Sequence, residues 1–360
     1  HIGKWGEVHE TRAGKKKYEA PWGCLEYSRH VYQSQRGGQT VIPLDIDACI
    51  VGSSTPRFGK MVSDKYGQQS GGHVQRDLAE NHGRKVSQCC IQNISATVGK
   101  LVLEKEAIWH YSLPEELEEG QVETISLGRD GTTLPMKHSG YREAMSATIG
   151  LYDKEGQRLH TIYLAEAPEY GKASFDRRFK GEIQRIQKQF PEATYIGLAD
   201  GAADNWSFLR PFVEVELIDF YHAVEYLAAV AEEIADKQWL DQAAHQLKHE
   251  QGAALQILQQ LRQFQQQQPV QRKKIQQAIT YFENHHAQMN YAQALDNKHP
   301  IGSGITEAAC KVIVKQRMCN SGMRWVEQGA KVVLALRCMS LNETRWSQFW
   351  KKLDKVKLAA

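Results

Sequence analysis

The sequence predicts an α/β protein in which a mixed β-sheet is flanked by regions that are entirely helical. The main observation is the order of patterns over residues 122–219, which reads β-β-β-α-β-α-β. Strands joined by a hairpin are antiparallel and strands joined by a helix are parallel, so three antiparallel strands should lead into parallel ones. Two further observations concern the flanks. Residues 221–297 and 306–353 carry only helical periodicity, and residues 51–105 read as helices around a glycine turn.

Each element of the sheet region has its own signal. The predicted strands are apolar runs at residues 122–130, 142–152, 158–166, 194–200 and 213–219, and the predicted helices cover residues 174–190 and 203–209. The segment Asp153-Lys154-Glu155-Gly156 is a turn that makes a hairpin of the second and third strands. In the first helix, Phe175, Phe179, Ile183 and Ile186 recur at helical spacing, which predicts a buried face.

The N-terminal region divides into a predicted hairpin and a predicted helical segment. The hairpin is expected over residues 28–45, with its turn at Arg36-Gly37-Gly38. Beyond it, one helix covers residues 74–81, and a second begins after Ser87, which is a suitable N-cap. Two helices around a turn at residues 82–85 resemble a helix-turn-helix; the alternative is an ordinary helical hairpin that supports the fold.

The polar region at residues 221–297 is rich in glutamine and is interrupted by Pro269. Such low complexity is typical of disorder, but a helical stripe of apolar residues runs through its first half. The stripe consists of Leu255, Leu258, Leu261 and Phe264. A helix-loop-helix is therefore predicted.

The composition is that of an ordinary globular protein, with 41% hydrophobic and 24% charged residues. The net charge of +3 neither demands nor excludes a polyanionic partner. The sequence has no apolar run of ~18 residues and no signal-peptide pattern, so no membrane association is expected. The seven cysteines include no C-x-x-C pair, which favours a reducing, cytoplasmic location over a disulfide framework. The first residue is His1 rather than methionine, which is compatible with a fragment.

Three acidic residues stand at the ends or starts of predicted elements. Asp130 closes the first strand, Asp200 closes the fourth, and Glu307 lies in the first turn of a helix after Gly302-Ser303-Gly304. Functional groups of open α/β sheets gather at the carboxyl ends of strands, so these carboxylates can converge. Close carboxylates repel one another unless cations lie between them, and Mg²⁺ or Mn²⁺ suits such ligands. Two such ions would activate the attacking oxygen and stabilise the leaving oxygen in a displacement at phosphorus.

Each of these residues also has an ordinary structural interpretation. Aspartate before glycine is common in turns, and a glutamate near a helix start complements the helix dipole. The second aspartate of the Asp200 loop, Asp204, is expected to be an N-cap or first-turn residue rather than a ligand.

Short motifs around the three acids make the chain similar to a known family. Four of them are GRDGT at residues 128–132, LADGA at residues 198–202 with Asn205 and Trp206, IDFYHA at residues 218–223, and YFEN at residues 281–284 with Tyr291. The fifth is IGSG at residues 301–304, which is followed by a block of matching residues. That block consists of Glu307, Ala309, Cys310, Lys311, Arg317, Met318, Gly322, Arg324, Trp325, Leu336, Arg337 and Trp346. In these motifs the chain resembles the DDE transposases of bacterial insertion sequences, and most of all the ISKra-type family, whose core is RNase H-like. The resemblance spans residues 40–350.

The resemblance implies a set of functional residues. Asp130, Asp200 and Glu307 would be the catalytic, metal-binding triad with two Mg²⁺ (or Mn²⁺) ions, and residues 221–297 would be a helical insertion before the Glu307 helix. One departure concerns the N-terminal hairpin, where family members often carry a C-x-x-C motif. Because residues 32–38 contain no cysteine, a zinc site is not expected there.

The residues around the triad are suited to DNA. Lys311 and Lys315 follow Glu307 at helical spacing and would contact phosphates, and the alternative is an exposed, solvated position. Arg317 and Arg324 would extend this basic surface.

Aromatic and capping residues near the triad leave two interpretations open. Trp325 would stack on an unpaired base, or else pack in the core. Asp219 and His222 would support the metal site or contact a flipped base, and the alternative is a capping aspartate with a packed histidine.

The predicted function is therefore a transposase that cleaves the ends of its element and joins the freed 3′ ends to target DNA. Since two ends must be held together, a homodimer or larger assembly is expected. The alternatives are an RNase H-like nuclease without strand transfer and an inactive DNA-binding remnant. The predicted regions are a hairpin region at residues 1–50, a helical DNA-binding region at residues 51–115, a core at residues 116–220, an insertion at residues 221–298 and a core completion at residues 299–360.

Overall fold

The structure, a computed structural model, describes residues 8–34, 40–106, 108–114, 117, 120–169, 172–267 and 273–355. The chain forms two compact units. The helical unit consists of His1–Pro114, Leu134–Arg142 and Ile313–Ala360, and the sheet unit consists of Glu115–Thr133 and Glu143–Val312. The predicted core and insertion regions thus belong largely to one unit, whereas the region at residues 299–360 is divided between both.

The elements follow one another in this order. The strands are β1 (Val8–Ala20), β2 (Gly23–Ser34), β3 (Thr124–Met136), β4 (Gly140–Tyr152), β5 (Arg158–Glu166), β6 (Thr194–Ala199) and β7 (Val215–Ile218). The helices are α1 (Pro43–Asp47), α2 (Pro56–Gln68), α3 (Gly71–His82), α4 (Gln88–Glu106), α5 (Ala173–Gln189), α6 (Ala203–Leu209), α7 (Phe220–Ile234), α8 (Lys237–His249), α9 (Ala253–Gln267), α10 (Lys273–His285), α11 (Tyr291–Asp296), α12 (Gly304–Ala309), α13 (Gln316–Met318), α14 (Glu327–Leu341) and α15 (Glu343–Lys355). A π-helical segment, Cys310–Lys315, follows α12.

The N-terminal hairpin differs from the predicted one. β2 pairs antiparallel with β1, from Val8↔Ser34 to Ala20↔Gly23, so the turn lies at Pro21-Trp22. The predicted hairpin over residues 28–45 is present only as one antiparallel bridge, Tyr32↔Val41, because β1 is the partner of β2 along most of its length. The predicted turn at Arg36-Gly37-Gly38 lies outside the described residues. The strand β1 gave only a short alternating signal, at buried Tyr18 and Ala20, because most of its other described side chains are exposed.

The predicted helices around the glycine turn are present. Gly83 ends α3 in a left-handed conformation (φ 62°), and the hydroxyl of Ser87 accepts a hydrogen bond of 3.2 Å from the Cys90 amide, as an N-cap does. α2 completes a group of three helices, whose shared core is formed by Phe58, Val62, Val74, Leu78, Val86, Ile91 and Ile94. The predicted order of helix, glycine turn and helix is therefore present in α3 and α4.

The C-terminal helices α14 and α15 complete the helical unit. They bury Leu336, Phe349 and Trp350 in one cluster with Val98 of α4. α4 and α14 approach closely at Gly99, where a Cβ atom would lie 2.7 Å from the side chain of Val332. The final helical block predicted from the sequence is confirmed, although residues 319–326 interrupt it.

The sheet unit contains a five-stranded mixed sheet in the order β5-β4-β3-β6-β7. β4 and β5 are antiparallel, whereas β3 pairs with β6, and β6 with β7, in parallel. The order of elements predicted from the sequence is therefore confirmed, and the chain is a mixed α/β protein. The central strands are buried almost continuously, as expected for strands covered on both faces.

The helices of the sheet unit follow the predicted patterns. α5 buries Phe175, Phe179, Ile183 and Ile186, which confirms its predicted apolar face. The glutamine-rich region forms α9 and α10. Of the predicted stripe, Leu258 and Leu261 are buried and Phe264 is half-buried, whereas Leu255 is 50% exposed. Pro269, where the interruption is predicted, lies outside the described residues.

Candidate active site

Asp130 lies on β3, and Asp200 directly follows the adjacent parallel strand β6. The Cα partners of β3 and β6 run from Thr124↔Thr194 to Gly128↔Leu198, and each aspartate lies two residues beyond the last pair. Neighbouring strands lie about 4.8 Å apart. The predicted closeness of these two carboxylates thus follows directly from strand register.

The prediction that Asp130 closes its strand is wrong. β3 continues through Gly131 and Thr132 to Met136 before the chain turns back into β4. Gly131 does not form a turn, and a Cβ atom there would meet the side chain of Glu143 on β4, which would have to move.

The Asp130 carboxylate is half-buried and has few donors. The Gly131 amide donates to Oδ1 over 2.7 Å, and the Cys310 thiol donates to Oδ2 over 3.4 Å. Burial raises the pKa of Asp130 above its ordinary value; the negative charges of Asp200 and Glu143 raise it further, while the two hydrogen bonds oppose the shift. A cation at this position would offset both the cost of burying the charged carboxylate and its repulsion by Asp200 and Glu143.

The Asp200 carboxylate is held through one of its oxygens. Oδ1 accepts hydrogen bonds from the Ala202 amide (3.1 Å) and from Nδ2 of Asn205 (2.9 Å). The indole of Trp206 donates to the main-chain oxygen of Asp200 over 2.8 Å. Within the described part of the chain, neither Asp130 nor Asp200 forms an ion pair.

Glu307 reaches the same edge of the sheet through its helix. It lies in the first turn of α12, is exposed, and accepts a hydrogen bond of 3.4 Å from the hydroxyl of Ser303. Cys310, one helical turn further on, is the residue whose thiol contacts Asp130. The helix of Glu307 is thereby attached to the strand of Asp130.

The three predicted ligands do not form a closed cation site. In the described ranges, no group of three or more His, Cys, Asp or Glu side chains is arranged to hold a metal ion. Asp130 and Asp200 are neighbours, and Glu307 is one helical turn from the contact with Asp130. Their carboxylate chemistry suits Mg²⁺ or Mn²⁺, and the burial of unpaired Asp130 favours a cation there.

Asp204 pairs with the basic side chains of buried Arg129 and half-buried Lys172 rather than capping a helix. It lies in the first turn of α6 as predicted, but the N-cap position belongs to Ala202, and no side chain caps the helix. Its Oδ2 accepts from Arg129 (2.8 Å) and from Lys172 (3.0 Å). These contacts, led by the Arg129 hydrogen bond, lower the pKa of Asp204.

Asp219 connects the insertion to the Glu307 loop. Its side chain is 1% exposed; Oδ1 accepts the His222 amide (2.7 Å), which caps α7, and Oδ2 accepts the Ser303 amide. Asp219 is thus the capping aspartate of the predicted alternative, and it also holds the loop that precedes Glu307. The His222 ring is 41% exposed on its outer side and lies 3.6 Å from Glu225.

Two glycines of the site loops lie against aromatic residues of the insertion. At Gly201, a Cβ atom would lie 2.9 Å from Tyr281 and 2.8 Å from His285 of α10. At Gly302, it would lie 3.0 Å from the ring of Tyr221 on α7. Both loops that carry predicted ligands are therefore covered by rings, a feature that the sequence motifs contain but do not explain.

The predicted DNA contacts after Glu307 are only partly exposed. Lys311, Lys315 and Arg324 are exposed. Lys311 and Lys315 both lie in the π-helical segment Cys310–Lys315. Because residues four apart in a π-helix are still close to one turn apart, this segment is compatible with the predicted common face of the two lysines.

Arg317 and Trp325 are packing residues of the helical unit. Arg317 is 3% exposed, donates to the Tyr66 carbonyl (3.2 Å), and lies over the rings of Tyr66 and Trp325 at 5.5 and 5.2 Å. The Trp325 indole donates to the Met318 carbonyl over 2.8 Å. Burial lowers the pKa of Arg317. Of the two interpretations of Trp325, the structure supports packing. The prediction that Arg317 contacts DNA is wrong, because its side chain is buried against Tyr66 and Trp325.

The sequence motifs contained several site residues to which no role was assigned. Arg129, Asn205 and Cys310 stand inside the quoted motifs, while Glu143 and Lys172 stand outside them. Lys172 pairs with Glu143 over 2.8 Å as well as with Asp204. A charged residue inside an apolar strand run, such as Arg129, is the one signal that could have been noticed.

Comparison of the whole chain with protein-family models gives no match, and no curated protein is significantly similar to it. Among the described residues, none of the helices combines the length and the apolar character needed to cross a bilayer.

Proposed function

We propose that this protein is a DDE transposase with an RNase H-like core, acting on the ends of an insertion sequence. The observation that carries the proposal is the register of β3 and β6, which brings Asp130 on β3 and Asp200 just after β6 to neighbouring positions, with the Glu307 helix attached to Asp130 through Cys310. The sheet order, with an antiparallel hairpin on one side and parallel strands on the other, supports this core. The helical insertion α7–α11 between β7 and α12 supports it as well.

The chain supplies orientation for the proposed ligands. Asp130, Asp200 and Glu307 would hold two Mg²⁺ or Mn²⁺ ions, which when bound activate the attacking oxygen and stabilise the leaving oxygen. The amides of Gly131 and Ala202 each hold one oxygen of an aspartate. Asp219 and Ser303 hold the loop that carries Glu307. These contacts fix the carboxylates before any substrate arrives.

The proposed reaction consists of two displacements at phosphorus. Water first cleaves the DNA at the 3′ end of the element, and the freed 3′-OH then attacks the target strand, with no covalent enzyme intermediate. Exposed Lys311, Lys315 and Arg324 are proposed to contact phosphates. Because two DNA ends must be joined together, the active form is proposed to be a homodimer or a larger assembly.

The test uses overlapping DNA duplexes from both flanks of the encoding gene, with Mg²⁺ or Mn²⁺. Cleavage at one flank, followed by joining of a pre-cut end to plasmid DNA, is expected, and both products should disappear in Asp200→Ala. Cleavage without a joined product would show a nuclease instead of a transposase. DNA binding that is unchanged by Asp200→Ala, with no cleavage in either metal, would show an inactive remnant.

A further inference from the structure

We infer that Asn205 is a positioning residue for Asp200, and that buried Arg129 fixes the orientation of Asn205. The inference rests on the proposed function, in that Asp200 is taken as a cation ligand. It assigns a role to two residues that touch neither cation nor substrate.

Arg129 is the largest fully buried side chain of the sheet unit, and its side chain is 0% exposed. Its guanidinium donates to Oδ1 of Asn205 (2.8 Å), Oδ2 of Asp204 (2.8 Å) and Oδ1 of Asp176 (3.0 Å). The ring of Phe208 lies over it at 5.3 Å. A buried guanidinium held by three acceptors and an aromatic face has little freedom to move.

The two neighbours of Asn205 determine which way its amide points. A guanidinium only donates hydrogen bonds, so the amide oxygen of Asn205 must face Arg129. A carboxylate only accepts them, so the amide nitrogen must face Asp200, where Nδ2 lies 2.9 Å from Oδ1. Asn205 is itself 6% exposed, so this orientation is enclosed by the fold. The chain of contacts runs in one direction, from Arg129 through Asn205 to Asp200.

The consequence is a distinction between the two oxygens of Asp200. Oδ1 carries both described donors, the Ala202 amide and the Asn205 amide nitrogen. Oδ2 is therefore the oxygen that remains for a cation. Partners that hold a ligating carboxylate in this way commonly change metal affinity by about 10- to 100-fold when they are removed.

Asp176 offers a matched control for Asn205. Both side chains accept a hydrogen bond from Arg129, but Asp176 makes none of the contacts described for Asp200. If Asn205 acted only as a hydrogen-bond partner of the buried guanidinium, Asp176→Asn and Asn205→Ala would change Mn²⁺ affinity by similar factors. If Asn205 orients Asp200, only the second substitution affects the cation.

The experiment measures Mn²⁺ binding to the full chain by calorimetry and by the electron paramagnetic resonance signal of free Mn²⁺, without DNA. Asn205→Ala is expected to raise the half-saturating Mn²⁺ concentration by about ten-fold or more, and Asp176→Asn by less than about two-fold. Thermal unfolding of both variants checks that the fold is retained. Equal binding by Asn205→Ala and wild type, or an equal loss in Asp176→Asn, would overturn the inference.

A second variant covers the case in which Asn205→Ala does not fold. Asn205→Asp keeps an acceptor for Arg129 and replaces the donor to Asp200 by an oxygen. In this background the further substitution Asp200→Ala should weaken Mn²⁺ binding by a smaller factor than it does in wild type, because part of the contribution of Asp200 is already lost. If Asp200→Ala weakens Mn²⁺ binding by the same factor in Asn205→Asp as in wild type, the inference is contradicted. Wild-type chain that binds no Mn²⁺ and cuts no DNA would overturn the proposed function itself, and the inference with it.

Discussion

Two buried arginines, one in each unit, show how differently the same charge is used. In the helical unit, Arg337 is 3% exposed and donates to the main-chain oxygens of Ile313 (2.7 Å) and Gly67 (2.8 Å). Burial lowers the pKa of Arg337 to about 10. In the sheet unit, Arg129 instead donates to the side chains of Asn205, Asp204 and Asp176.

The difference lies in what each arginine holds in place. Arg337 satisfies carbonyl oxygens that would otherwise lose hydrogen bonds in the protein interior, so it stabilises the path of the main chain. Arg129 holds polar side chains, one of which contacts Asp200. Substitution of Arg337 should therefore change stability alone, whereas substitutions around Arg129 should also change cation binding and activity.

The largest expected effect separates the two aspartates of one loop. Asp200 has no cation partner among the described residues, whereas Asp204 pairs with Arg129 and Lys172. Asp200→Ala should lower DNA cleavage by more than about 100-fold, since it removes a ligand rather than a ligand's support. Asp204→Asn should lower DNA cleavage by less than about ten-fold. Rates measured at saturating Mn²⁺ check this, and similar losses in both variants would contradict the assignment of Asp200.

The next test compares the two arginines directly. Arg337→Met leaves two main-chain carbonyl oxygens without this donor, so it should lower the free energy of unfolding by about 2–5 kcal/mol. Its Mn²⁺ affinity should stay within about two-fold of wild type. Arg129→Met should destabilise the protein and also weaken Mn²⁺ binding by about ten-fold.

Urea unfolding and calorimetry on both variants decide this comparison. A loss of Mn²⁺ affinity in Arg337→Met as large as in Arg129→Met would show that general destabilisation, rather than the Asn205 contact, controls the site.

A smaller effect concerns the packing under the Glu307 helix. A Cβ atom at Gly128 of β3 would collide with the hydroxyl of Thr306, which is buried on α12 beside Glu307. Gly128→Ala should therefore lower stability by about 1–3 kcal/mol through overpacking and displace the helix. Because Thr306→Ala removes the colliding atom, the double variant should regain part of the stability and of the Mn²⁺ affinity. No recovery in thermal unfolding would argue against this contact.

The smallest expected effect is a pH dependence at Asp204. The folded-state pKa of Asp204 lies below its ordinary value of 3.8, chiefly because of the Arg129 hydrogen bond. The stability from this pair is therefore fully present above pH 3.8 and is lost as the pH falls through the folded-state pKa. Since Asp204 is 59% exposed, the contribution should be below about 1 kcal/mol.

Acid unfolding midpoints of wild type and Asp204→Asn measure this contribution. The stability difference between the two proteins should shrink as the pH is lowered below 3.8. A difference that stays constant down to the acid transition would assign the effect to packing rather than to the ion pair.

Local patterns were sufficient for most elements of the sheet unit. The apolar runs and the helical spacing in α5 predicted the order of strands and helices, because each such pattern is satisfied by burial of one face. The pairing of β1 with β2 was missed because most described side chains of the ribbon are exposed, so β1 alternates between polar and buried apolar residues only near Tyr18 and Ala20. Asp130 and Asp200 lie close because β3 and β6 are paired from Thr124↔Thr194 to Gly128↔Leu198, although only β6 ends at its aspartate as predicted.

The sequence by itself determined the type and order of the sheet elements and the choice of Asp130, Asp200 and Glu307 as candidate ligands. Only the tertiary structure decided which charges are partners, because hydrogen bonds between residues far apart in the chain leave no periodic signal. It shows that Arg317 is buried in the helical unit and that Asp204 pairs with Arg129. It also shows that Asn205 lies between Arg129 and Asp200. Burial and pairing are properties of packed neighbours, and packing is decided only when the chain is folded.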